Sequence, residues 1–116
     1  MITIVSSSRY KISRKYLKEA TNKLLLQHGL SQNYTINVVF VGKNKMKALS
    51  DKYKQEKIAL PVLTFLYDEK ANEKRFLGEI LICYPQAVLL AAERGKKVDD
   101  VILQLIDHGI NNLVQF

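Results

Sequence analysis

Four short runs of β-branched and aliphatic residues alternate with stretches whose apolar residues recur every three to four positions. Strands and amphipathic helices in that alternation bury their apolar sides only by layering helices on a sheet. Ile2, Thr3, Ile4 and Val5 form the first run and stop at Ser6, Ser7 and Ser8, which predicts a short strand and a turn. Ser13 has the chemistry of an N-cap; behind it Tyr16, Leu17, Ala20, Leu24 and Leu25 share a helix face, Arg14, Lys15, Lys18, Glu19 and Asn22 face away, and Gly29 ends the helix. A strand is expected over Tyr34 to Val41, broken by Gly42 and Asn44, before Met46, Leu49 and Tyr53 resume the helical period. Pro61 opens a third strand through Phe65, and the polar stretch Asp68 to Arg75 reads as a hairpin or longer surface loop leading to an antiparallel partner over Leu77 to Cys83. Pro85 suits the first turn of a helix that Gly95 stops at Arg94, and Val98 opens a last helix running almost to Phe116. The order β α β α β β α α predicts a single α/β domain over residues 1–116, with a mixed sheet of about four strands covered by helices.

The 116 residues fit one domain, and 47% hydrophobic with 25% charged residues excludes a disordered, collagen-like or coiled-coil chain. No apolar run approaches the roughly 20 residues of a bilayer span, and the first ten residues lack a signal peptide's apolar stretch, so a cytoplasmic location without membrane contact is expected. Cys83 is the only cysteine; with His28 and His108 as the only histidines, a closed four-ligand Cys/His zinc site cannot be built within one chain.

The formal charge of +7 is unevenly placed. Residues 1–58 carry 12 Lys and Arg against Glu19, Asp51 and Glu56, a net +9, whereas residues 59–116 carry 6 against 8 acids. A one-sided positive field attracts polyanions through counterion release, which points to RNA, DNA or an acidic surface; a merely solvated basic face is the alternative. Lys43, Lys45, Lys47, Lys52, Lys54 and Lys57, interleaved with Tyr53, form the densest basic group and the candidate RNA-binding residues. The Met46, Leu49, Tyr53 period predicts a buried Tyr53 ring; an exposed one would offer a base-stacking surface.

On the last helix Val98, Val101, Ile102, Leu105, Ile106, Gly109 and Leu113 share one face, and Gln104, His108 and Asn112 line its edge one turn apart. His108 is the candidate catalytic or ligating residue, against an ordinary helix-edge histidine. Glu79, between core-like neighbours, is either a site-lining acid or a solvent-facing member of the strand alternation. Cys83 reads as a small buried hydrophobe, and His28 as a structural residue whose partial positive charge suits a helix C-terminus.

Four segments, in order, resemble motifs of the YbeY family of bacterial endoribonucleases, also known as rRNA maturation factors. Val38 to Val41 is similar to its V-x-F-V strand, Tyr53 to Phe65 to Y-R-x-x-D-K-P-T-D-V-L-S-F, Leu77 to Ile82 to L-G-D-I-x-I, and Asp107 to Leu113 to the stretch containing H-G-x-x-H-L. The resemblance covers almost the whole chain. It implies a YbeY-like α/β fold with a mixed sheet, action on single-stranded RNA, a role in maturing ribosomal RNA, and one zinc ion held by three histidines.

Here only His108 matches those ligands. Asn112 stands at the second histidine, and the sequence ends at Phe116 before the G-Y-D-H that carries the third. Two imidazoles at i and i+4 with a third from the next loop leave one zinc position open for water, whereas an asparagine amide is a weak zinc ligand. Lys54 replaces the family arginine and keeps the charge without the planar fork; Leu60 and Pro61 replace T-D; Thr64 replaces serine; Glu79 replaces aspartate. The preferred reading is an RNA-binding or ribosome-associated factor with a degenerate metal site and no cofactor. The alternatives are an active metal-dependent endoribonuclease, with ligands from a partner subunit or magnesium held through Glu79, Asp107 and water, and a small non-catalytic interaction protein. The sequence does not fix the oligomeric state.

Overall fold

The computed structural model describes residues 2–114. Its elements follow the expected order: β1 (Ile2–Val5), α1 (Arg14–Gln27), β2 (Tyr34–Val41), α2 (Lys43–Lys54), β3 (Val62–Ala71), β4 (Lys74–Cys83), α3 (Tyr84–Arg94) and α4 (Val98–Val114). The strands lie in the order β1-β2-β4-β3. β1, β2 and β4 are parallel, and β3 pairs antiparallel with β4 at one edge. The sheet is therefore mixed and four-stranded, an α/β arrangement as the sequence predicts.

Strand alternation sorts the side chains into two faces. Ile2, Ile36, Val38, Phe40, Ile80 and Ile82 join Leu17 and Leu25 of α1, Ala87 and Ala91 of α3, and the apolar side of α4 in the larger core. Val41, Leu63, Leu81 and Cys83 point the other way and are covered by Met46 of α2 and by Ala59. Three helices thus pack on one face and only α2 on the other. Cys83 is buried there, and loss of hydration pushes its thiol upward from the ordinary value, consistent with an apolar packing role.

The polar stretch Asp68 to Arg75 forms the far arms of a β-hairpin and not a long loop. β3 and β4 run out to the Ala71↔Lys74 pair, leaving Asn72 and Glu73 as the turn, with Asn72 at φ 58°, which asparagine tolerates. The Asp68 carboxylate accepts from Nε and Nη2 of Arg75, the latter at 2.8 Å, and this bond holds its pKa below the ordinary carboxylate range. Near that pair Tyr67 and Asp68 stand opposite the single residue Leu77, a β-bulge with Asp68 at φ 51°.

Two helix faces differ from expectation. Leu17, Thr21 and Leu25 are the buried residues of α1, and Tyr16 is exposed. Ser13 occupies the N-cap with no side-chain hydrogen bond, and His28, not Gly29, is the C-cap residue. On α4 the expected positions from Val101 to Leu113 are buried, joined by Ile110.

Candidate functional site

α4 crosses β4 and β3. Asp107 faces α1, where its Oδ1 meets His28 Nε2 at 2.9 Å, so His28 ties two helices together. Gln104 lies beside Asp107 at the rim of the depression between α4 and α1, and its side-chain oxygen accepts from Arg94 of α3 at 3.3 Å. At 100° per residue His108 and Asn112 continue the Gln104 row, exposed. Gly109 lets the helix sit close to the sheet, since a Cβ there would meet Ile80 Cγ2 at 2.8 Å.

Glu79 lies on the other side of the sheet. Its neighbour Ile80 points at α4, so alternation turns Glu79 away from it, into a row of register partners comprising Thr3, Asn37, Glu79 and Phe65. Asn37 Nδ2 donates to Glu79 Oε2 at 3.5 Å and the Tyr67 hydroxyl donates to Oε1 at 3.2 Å. Partial burial first, and the bond to Glu79 second, raise the Tyr67 phenol above its usual value, keeping it a protonated donor at neutral pH. The two candidate chemical residues, His108 and Glu79, therefore do not share a site. Magnesium held jointly by Glu79 and Asp107 is incompatible with this placement, because Asp107 sits on α4 against His28.

No three His, Cys, Asp or Glu side chains come together among the described residues. His108 is paired along its flank with an asparagine, and a neutral amide with one imidazole is a poor donor set for zinc. The described residues do not fit the zinc ion that the resemblance implies.

The six lysines are exposed but do not form one patch. On α2, Lys43, Lys47 and Lys54 fall on one flank and Lys45 and Lys52 on the other. The first flank faces the segment leading to β3: Ser50 Oγ accepts from the Leu60 amide at 3.2 Å, and Lys57 lines a shallow depression with Lys47 and Asp51. The second borders the part of the sheet that α2 leaves open, on the side of the half-buried Leu49.

Tyr53 corrects an expectation: its ring is 49% exposed, not buried. It stands edge-on to Phe65 at 5.0 Å, with Lys52 Nζ 5.1 Å from the ring centroid. Sequence reasoning also missed Tyr67, which is 46% exposed and stacks on Phe76 at 5.7 Å. The apolar i, i+2 series Leu63, Phe65, Tyr67 was the available signal for a shared face.

Comparison with known proteins gives a consistent result. The family model described as Endoribonuclease YbeY matches residues 3–115. The Endoribonuclease YbeY of Persephonella marina is 30% identical over 107 residues, covering 90% of this chain and 69% of its own length. That of Sulfurihydrogenibium sp. is 29% identical over 107 residues, covering 91% and 70% respectively. The protein of the same name from Dehalococcoides mccartyi is 27% identical, covering 99% and 79%. A solution structure from Thermotoga maritima superposes with a TM-score of 0.66 at 23% identity, over 100% of this chain and 73% of that one, a likeness of fold.

Proposed function

This chain belongs to the YbeY family, and on that premise we propose that it binds single-stranded RNA in ribosomal RNA maturation, or on the ribosome, in the cytoplasm, with its metal site degenerate. The observation that carries this reading is the divergence between its two halves. The first 58 residues carry a net charge of +9, while the donor row on α4 holds one imidazole beside an amide. Phosphate neutralisation by lysine needs no metal and tolerates sequence change, whereas a zinc first shell does not. RNA bound this way is held without a water activated for attack on it.

Purified protein is expected to carry no stoichiometric zinc. Elemental analysis near one zinc per chain, together with RNA cleavage that a chelator stops, would overturn the degenerate site and favour the endoribonuclease activity for which the relatives are named.

Binding of a single-stranded RNA is expected to weaken with salt. Lys52→Ala should lower affinity modestly and reduce the slope of log K against log salt by up to about 1. Lys97→Gln, exposed in the other half of the sequence, should change neither. Equal losses from the two substitutions would leave the basic half as a solvated face and the protein as a small interaction module.

A further inference from the structure

The sheet face opposite α4 is only half covered. α2 closes the end formed by Val41, Leu63 and Leu81, and beyond it the half-buried Asn37 and Glu79 are flanked by two exposed rings, Tyr67 bonded to Glu79 and Tyr53 set against Phe65, the register partner of Glu79. We propose that this uncovered face is a base-stacking platform for single-stranded RNA, separate from the His108 flank. The proposal rests on the RNA-binding reading above and gives it a location.

Both exposed rings are held from behind. Tyr53 is fixed edge-on against Phe65, and Tyr67 lies nearly parallel to Phe76 at 15° with its hydroxyl tied to Glu79. Rings so supported keep an orientation in which a base can lie against them with little further loss of side-chain freedom. Between them, Glu79 offers carboxylate oxygens and Asn37 an amide, an acceptor and donor set suited to base edges. A phosphate would be repelled by Glu79, so the backbone must run along the rim, where Lys45 and Lys52 stand on the adjoining flank of α2. Lys52, already over the Tyr53 ring, is placed to meet the phosphate next to a base stacked there.

Charge favours a polyanion over another copy of the chain, since Lys45 and Lys52 line the rim of this face and the molecule as a whole carries +7. Duplex RNA is a poor fit because its bases are already stacked on one another.

The test compares a single-stranded RNA with an abasic strand of equal length and charge, using wild type, Tyr53→Leu/Tyr67→Leu and Tyr67→Phe. Wild type should prefer the RNA by about tenfold or more. The double leucine variant should lose that preference while keeping the salt dependence of wild type and a cooperative unfolding transition. Tyr67→Phe, which keeps the ring, should retain it. The chain has six tyrosines and no tryptophan, so quenching of tyrosine emission on RNA binding reports stacking directly and should shrink in the double variant. A base preference undiminished in that variant would overturn the platform and leave RNA binding intact. No binding of either strand by wild type would remove both. A dimer of wild type that the leucine substitutions dissociate, with RNA affinity unchanged, would assign the face to a second copy instead.

Discussion

Gly78→Ala is expected to cost more than about 3 kcal/mol of stability. A methyl group there would lie 2.1 Å from the backbone carbonyl oxygen of Phe65 and 3.0 Å from Leu113 Cδ2. The first obstacle is main chain, so no side-chain rotation relieves it. β3 would have to withdraw from β4 between the Phe65↔Glu79 and Leu66↔Gly78 pairs, beside the bulge that sets Tyr67. β3 is the edge strand and, among the described residues, pairs with no second strand. Gly109→Ala provides the comparison: the nearest atoms to its added methyl are Cγ2, Cδ1 and Cγ1 of Ile80 at 2.8–3.0 Å, side-chain and not main-chain atoms, so a small displacement of α4 relieves it and the loss should be smaller. Urea unfolding of the two variants measures both effects. A loss below about 1 kcal/mol for Gly78→Ala would mean that β3 moves away at little cost. In the intermediate case, where the domain survives, displacement of β3 should also separate Tyr67 from Glu79 and weaken RNA binding through the platform.

The fold was largely legible because its apolar periods are clean. The strand runs at Ile2–Val5 and Tyr34–Val41 and the proline and glycine around α3 needed no tertiary information. The hairpin arms were not legible, because Asp68 to Arg75 has the composition of a loop. Their strand character comes from edge pairing and the Asp68–Arg75 ion pair, neither of which a hydrophobic pattern reveals. The Tyr53 period was read correctly, but the last turn of α2 lies where the ring is only partly covered. The separation of His108 from Glu79 has a similar origin. Alternation says that Glu79 and Ile80 face opposite ways, but not which face α4 will occupy. Tyr67, Phe76 and Glu79 were harder still: residues 76 and 79 differ by an odd step, which puts them on opposite faces of a regular strand. The irregularity at Leu77, skipped by β2 and opposed by two residues of β3, restores them to one face.

Ile106→Ala is the second large effect expected, at about 2–5 kcal/mol. Ile106 is fully buried in the main core, on the face where α4 meets the sheet, and truncation leaves a cavity that neighbours held by helix and strand backbones refill only in part. Leu105→Ala should fall in the same range but toward its lower end, because Leu105 is 9% exposed at the margin of that face and water fills part of the space. His108→Ala and Asn112→Ala, one or two turns along but on the exposed flank, should stay within about 0.5 kcal/mol of wild type. Thermal or urea unfolding of all four variants tests the facing of α4 as a set. An unchanged stability for Ile106→Ala, or a large loss for His108→Ala, would mean that the helix is rotated and that His108 belongs to the core. With the expected pattern, the two flank variants are folded proteins, so any change they cause in RNA binding or in metal content reports on the flank itself and not on loss of the domain.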